Sequence, residues 1–314
     1  MDSSLVLWLA LRAKGCGCVL AAHLDWGVYA YASVRERVLS FSRGIGLEPR
    51  IIPAQGELEA VLKRGPACNR CTRQAKLGRL RRHFPEALIL TGANRSDSWG
   101  QRGEPLINGI LAPLFALEKS DIRLLAEEAG LQVKSVGESD RREGCKAKHL
   151  LKPLVTPDFH GRAVAQANEM LLSFLAERRI LCRLANVKIL GPLSENNAVV
   201  NILPPLGERE EEALRVALQG AELPIHSFLF PHRPLTLTMV ANPALTNDVH
   251  ARSAVEDGIL RPGFAVPLCF RWLRSGNKRL GSFHVVEAEE IQVRSPFPHL
   301  PFMTPSSSLD ATGL

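Results

Sequence analysis

Long apolar runs are missing from this 314-residue sequence, and no basic segment precedes the apolar stretch near its start. That pattern argues against a membrane-spanning helix and a secretory signal, so a cytoplasmic protein with no membrane partner is expected. Aromatic residues are scarce, at 6% with two tyrosines. The seven cysteines are odd in number and irregularly spaced. This excludes the disulfide framework of a small secreted domain and leaves reduced thiols, metal ligation or catalysis. Acidic residues are absent from Lys63 to Arg82, "KRGPACNRCTRQAKLGRLRR", which carries eight basic residues and a pair of cysteines. Such a segment is either a solvated basic helix face or a polyanion-binding surface. What remains is ordinary: 46% apolar, 23% charged, net charge +7. The length is enough for two globular domains, and the mild positive excess permits an anionic partner.

The chain opens with Asp2, Ser3 and Ser4, short oxygen side chains suited to capping a first helical turn, ahead of an amphipathic helix. A helix start is also an anion site, because free amides and the dipole both favour negative charge. "CVLAAHLDW" reads as a buried parallel strand, "SVRERVLSFSRGIGL" as a helix and "RIIPA" as the next strand. The basic segment through "LGRLRRHF" reads as a helix, and "ALILTGAN" as another strand. "EKSDIRLLAEEAGL" is a helix capped by Ser120 and ended by Gly130. Alternating strands and helices predict an α/β fold with a doubly wound parallel sheet, which binds ligands at the carboxyl ends of its strands. A helix spans about Gly161 to Arg179, after Pro153 and Pro157. Beyond it come short strands, "NVKILG", "AVVNILPPL", "LTLTMVA" and "GSFHVVEA", with the helix "EREEEALRVALQGA" between them. They predict a second, smaller α+β domain, in which "RSGN" before "KRLGSFHVV" marks a hairpin. The expected boundaries are 1–157, a connecting helix 158–180, the small domain 181–302 and a disordered tail 303–314.

Met1-Asp2-Ser3, continued as "MDSSLVLWLA", resembles the second half of Ser-Gly-Gly-x-Asp-Ser, the signature of the PP-loop ATP pyrophosphatase superfamily. "HLDWG", "LTGANRSD" and "LEKSDIRLLAEEAGL" resemble later segments of that superfamily, in its order and spacing over residues 1 to about 155. The Ser-Gly-Gly half and the strand before it are absent, so the sequence reads as cut inside the motif. The resemblance implies an adenine nucleotide alpha hydrolase-like sheet with its first strand missing. It also implies ATP with Mg²⁺, AMP and pyrophosphate as products, and nucleotide contacts from Asp2, Ser3, Ser4, Gly92 and Lys119. His23 and Asp25 lie at a strand's carboxyl end and border the nucleotide, or His23 is a structural histidine. Asp97 holds Mg²⁺ or positions the substrate carbonyl.

Cys68-Asn-Arg-Cys71 is a CxxC whose basic neighbours Arg70, Arg73 and Lys76 are expected to favour thiolate. With Cys145 about seventy residues later, the pattern resembles tRNA enzymes that make 2-thiocytidine and 2-thiouridine. There three cysteines hold a [4Fe-4S] cluster with one open iron. That resemblance makes Cys68, Cys71 and Cys145 the metal ligands and the catalytic cysteines, alongside Asp97. The residues alone leave open a closed Zn²⁺ site with His149, a redox disulfide or unligated thiols. Cys16, Cys18, Cys182 and Cys269 read as small core residues, and Trp8 and Trp26 as core.

The function expected is ATP-dependent sulfur transfer onto a carbonyl or carboxylate oxygen of tRNA. The basic CxxC segment and Arg141–Lys152 would meet phosphates, and a donor protein or sulfide would supply sulfur. The second domain lacks an aromatic-rich RNA module. A small-molecule alternative therefore stands: "CRLANVKILGPLSENNAVVNILPPLGEREEEALRVAL" resembles the strand-strand-helix order that follows the PP-loop domain in the enzyme inserting sulfur into the lactate racemase cofactor. A non-catalytic nucleotide- or zinc-binding derivative is the third reading, and homodimerisation is left open.

Overall fold

The computed structural model describes residues 2–97, 103–131 and 145–291. The tail at 303–314 and residues 141–144 of the second basic stretch lie outside them. Helix α1 (Asp2–Lys14) has Asp2 in its first turn and Arg12 and Lys14 in its last, which complements the helix dipole at both ends. It buries Leu5 and Val6. Strand β1 (Ala22–Asp25), helix α2 (Ala32–Gly44) and strand β2 (Arg50–Pro53) follow, and β1 pairs with β2 in parallel. Helix α3 is Gln55–Leu62.

The basic segment is broken rather than one continuous helix. It runs as a short turn α4 (Cys68–Arg70), a π-helical stretch Cys71–Leu77 and α5 (Gly78–His83). A π-helical insertion widens the backbone ladder locally and is often found where a side chain must be redirected at a functional site. Strand β3 is only Ile89–Leu90, shorter than predicted. It pairs with β5 (Ile110–Leu111), which also pairs with β4 (Leu106–Ile107).

Helix α6 (Lys119–Glu128) is capped one step earlier than the sequence suggested. Glu118 is the N-cap, its amide donating to Asp121 at 2.9 Å, and Ser120 sits inside the first turn. Gly130 (φ 66°) ends it as expected, a left-handed position that side chains resist.

Helix α7 (Arg162–Glu177) buries Val164, Ala167, Leu171 and Leu175. One core cluster runs from Leu24, Tyr29 and Ile52 through these residues to Val187, Val200 and Phe230, so α7 is covered from both sides. Strands β6 (Leu184–Leu190) and β7 (Asn197–Leu203) are antiparallel; helix α8 (Glu208–Gly220) leads to β8 (Ser227–Leu229), which pairs with β7 in parallel. Every residue of β6 is buried, because α7 covers one face and a second sheet the other.

That second sheet has β9 (Leu235–Ala241) at its centre, parallel to β10 (Leu268–Arg274) and antiparallel to β11 (Phe283–Glu290). The hairpin read at "RSGN" is therefore corrected. β10 and β11 lie on opposite sides of β9, and residues 275–282 cross over rather than turn back. The chain is a mixed α/β protein of several small sheets, and among the described residues no helix is long and apolar enough to cross a membrane.

Candidate active site

Two clusters gather the residues singled out in the sequence. The first sits where α1, the loop after β3 and the start of α6 meet. Asp2 forms an ion pair with Lys119 and accepts a hydrogen bond from Asn94 Nδ2 at 3.0 Å. Asn94 is fully buried, and its Oδ1 takes the Ser96 amide at 3.0 Å. Asp97 Oδ2 takes the Asn94 amide at 3.1 Å, which closes the loop and leaves Asp97 exposed.

Gly92 is required by contact: a Cβ there would stand 2.8 Å from both the Asp2 Cβ and the Ser3 amide nitrogen. The loop therefore lies directly on the helix start. Beside it, the buried Thr91 Oγ1 has no hydrogen-bond partner. An unpartnered hydroxyl, a lysine and two carboxylates at a helix N-terminus form a donor set that fits a nucleotide phosphate and Mg²⁺. Ser4 is partly buried in the same first turn.

Asp2, Ser3, Gly92, Asp97 and Lys119 are thus brought together, with Asn94 as the hub that sequence reasoning left out. A polar residue just past a strand's carboxyl end was the available signal. His23 and Asp25 lie on β1, apart from this cluster. Asp25 Oδ1 accepts from the Gly27 amide at 2.9 Å, and among the described residues neither side chain is bonded to the Asp2 cluster. Burial holds His23 below the ordinary histidine range, outweighing the opposite pull of Asp25.

The second cluster is the thiols. Cys71 and Cys145 are partly buried and pack against the main core, while Cys68 is exposed on α4. Cys145 is set by an antiparallel bridge to Ala30, just after β1. Burial raises the pKa of both Cys71 and Cys145, and charge on Cys68, with that on Cys145 at Cys71, adds in the same direction.

The expectation of ready thiolates is corrected. Burial pushes Cys71 up to about 12 and Cys145 upward as well, and the nearby Lys76, with Lys148 at Cys145, only partly offsets this. Arg70, counted in the sequence as an activator, points elsewhere and donates to the Gly281 carbonyl at 2.9 Å. Of the cysteines read as core, Cys16, Cys18 and Cys269 are exposed and Cys182 is intermediate. Trp26 is buried, whereas Trp8 only flanks a small satellite cluster.

Among the described residues, no three His, Cys, Asp or Glu side chains converge where one ion could sit. His149 is committed elsewhere. Its Nδ1 lies 2.9 Å from Lys188 Nζ and its Nε2 3.4 Å from the Tyr31 hydroxyl. The closed cysteine–histidine zinc site thus lacks its imidazole in this arrangement. A multi-iron cluster places its thiolates on different iron atoms, so its ligands stand farther apart than ligands sharing one ion.

A cavity of about 290 Å³ lies between β7, β8 and β11, lined in part by Pro192, Glu195, Ser227 and Glu287. None of the sequence-predicted residues lines it. No protein-family model matches this chain, and no curated protein matches its sequence.

Proposed function

We propose that the chain is an ATP-dependent sulfur transferase of the PP-loop kind. It would adenylate a carbonyl or carboxylate oxygen of tRNA, release pyrophosphate and put sulfur in the oxygen's place. In this reading the small sheets around β1–β5 belong to a doubly wound parallel arrangement. What supports it most is the gathering of Asp2, Gly92, Asp97 and Lys119, from three separated stretches, at one helix N-terminus. The second support is that Cys71 and Cys145, from separate stretches of the chain, both pack against the main core, with Cys68 one turn from Cys71.

Transfer of AMP onto an oxygen makes it a good leaving group, so the first cluster activates and the second substitutes. Lys119 would exchange its contact with Asp2 for the phosphates, freeing Asp2 and Asp97 for Mg²⁺. A [4Fe-4S] cluster on Cys68, Cys71 and Cys145 would supply an open iron for sulfide. Lys76 and Lys148 would offset the negative charge of the three thiolates. Because Cys71 and Cys145 start as thiols, assembly there releases protons and is favoured by higher pH.

The test is an anaerobic incubation of iron-loaded chain with ATP, a tRNA transcript and sulfide, reading pyrophosphate and thionucleoside separately. Asp97→Asn and Lys119→Ala should lower both products, whereas Cys145→Ala should abolish the thionucleoside and leave pyrophosphate release. Absence of ATP-dependent pyrophosphate release from the unaltered chain, or thionucleoside formation unchanged by Cys145→Ala, would overturn the reading.

A further inference from the structure

The crossing segment 275–282 meets the CxxC turn through an unusual set of polar groups. The Gly281 amide donates to the Arg64 carbonyl at 2.8 Å, and its carbonyl accepts from Arg70 Nη2 at 2.9 Å. The contact is close on both sides. A Cβ on Gly281 would stand 2.7 Å from Arg70 Nη1, and one on Gly65 (φ 95°) 2.6 Å from Ser282 Oγ.

Within this seam Arg70 Nη1 and Ser282 Oγ are both buried and both without a hydrogen-bond partner. Leaving such groups unmet is costly, the more so for a charged group. Burial, and after it the positive charge of Arg64 and Arg73, depress the pKa of the Arg70 guanidinium. Among the described residues, none of these three arginines is ion-paired with a carboxylate. Arg79 and Arg82 further along the segment do have one, in Glu57. Lys278 and Arg279 add exposed charge on the crossing segment. One guanidinium with an unmet donor, an unmet hydroxyl beside it and two further exposed arginines, with no carboxylate partner among the described residues, make a set that an oxyanion would complete.

We propose that Arg64, Arg70, Arg73 and Ser282 form a phosphate-binding site at the seam between the CxxC turn and the crossing segment 275–282. The guanidinium fork and the hydroxyl would donate to non-bridging oxygens, as arginine clusters do with phosphates. The site rests on the sulfur-transfer reading only for tRNA as a probe, and it is measured without ATP, iron or sulfide, so the two fail separately. Its chemistry is met either by a free pyrophosphate-type anion or by the backbone of a nucleic acid.

Arg64 and Arg73 are exposed, so Arg64→Ala and Arg73→Ala can be made without opening the core, with Ser282→Ala as the buried probe and Arg209→Ala on α8 as a charge-matched control. Two titrations are read on the full chain, each variant first checked for an unchanged melting temperature without ligand. One follows labelled tRNA transcript against salt; the other follows the melting temperature against inorganic pyrophosphate. For a nucleic-acid backbone, Arg64→Ala and Arg73→Ala should each weaken tRNA binding several-fold and reduce the salt slope by about one, while Arg209→Ala does neither. For a free anion, pyrophosphate should raise the melting temperature of the unaltered chain by more than that of the arginine variants, which keep only the Asp2–Lys119 site. If both titrations are unchanged in the variants, or Arg209→Ala weakens binding equally, the site is overturned.

Discussion

Residues 2–131 and residues 145–291 solve the same problem of burying strands in different ways. In the second region β6, β7, β9 and β10 are seven residues long and β11 eight, and nearly every position of β6 and β9 is buried. In the first, β1 and β2 have four residues and β3, β4 and β5 two. Long paired strands satisfy the backbone internally, so the second region is a platform. Short strands return the chain to loops at once, and those loops carry Gly92, Asn94 and Asp97. The polar cluster around Asp2 is thereby set apart from the platform along the sequence, as expected where functional segments are drawn from the less stable part of a fold, whereas Cys145 is contributed from the start of the second region.

Truncating one core leucine in each region should show this most strongly. Leu237→Ala, at the centre of β9, should cost ~3–5 kcal/mol in chemical denaturation, because walls on every side hold the cavity open. Leu114→Ala, equally buried but in a small satellite cluster with Leu5, Val6 and Ile122, should fall nearer ~2–3 kcal/mol. Equal costs would dissolve the distinction.

A matched pair of fully buried asparagines sharpens it. Asn168 ties α7 to β6, donating to the Val164 and Val187 carbonyls and accepting from the Val187 amide, each at 2.9 Å. Asn168→Ala should cost ~1–3 kcal/mol, since those backbone groups stay buried. Asn94→Ala frees Asp2, which keeps Lys119, and the exposed Ser96 amide, and loses a long 3.4 Å contact to the Gly92 carbonyl. It should therefore cost under ~1 kcal/mol while weakening ATP binding at least tenfold, read by calorimetry.

The platform also carries its own titration. Burial holds His160 and His284 below the ordinary histidine range, so the unfolded chain binds more protons than the folded one just below pH ~6.5. Stability should fall as pH is lowered through that value toward the folded pKa. His284→Gln should flatten the fall in a series of denaturation midpoints. A midpoint that is level from pH 7 to 5 would contradict the burial account. The smallest expected effect is kinetic: in iron-free chain at pH 7, exposed Cys68 should be alkylated well before Cys71, whose burial keeps it a thiol.

Much of the platform was legible in the sequence, because β6, β7, β9, β11 and the helices α7 and α8 follow apolar periodicity of sufficient length. The end of α6 at Gly130 was legible too, as a left-handed stop. The pairing of β10 was not. A Gly-Asn pair between two apolar runs carries the local signal of a turn, but the place beside β11 goes to β9, a competition decided by burial across the sheet.

At the site, the stretches around Asp2, Gly92, Asp97 and Lys119 were found by their polar residues near helix starts and strand ends. Their hub Asn94 was hidden because its role depends on a partner 92 positions away. The thiols were found by spacing, but their protonation was misjudged, since of the basic neighbours in sequence Lys76 does act on them while Arg70 does not, and burial outweighs both. Arg70 turns to Gly281, 211 positions on, and leaves burial to dominate at Cys71.

The central claim is that Cys68, Cys71 and Cys145 act as one site. It is tested most directly by anaerobic reconstitution with iron and sulfide, followed by iron and acid-labile sulfide analysis of the desalted chain and of each single cysteine-to-serine variant. The account predicts [4Fe-4S] stoichiometry in the unaltered chain, its loss in all three of those variants, and its retention in Cys269→Ser. Iron content at background in the unaltered chain, or a full complement surviving in Cys145→Ser, would contradict it.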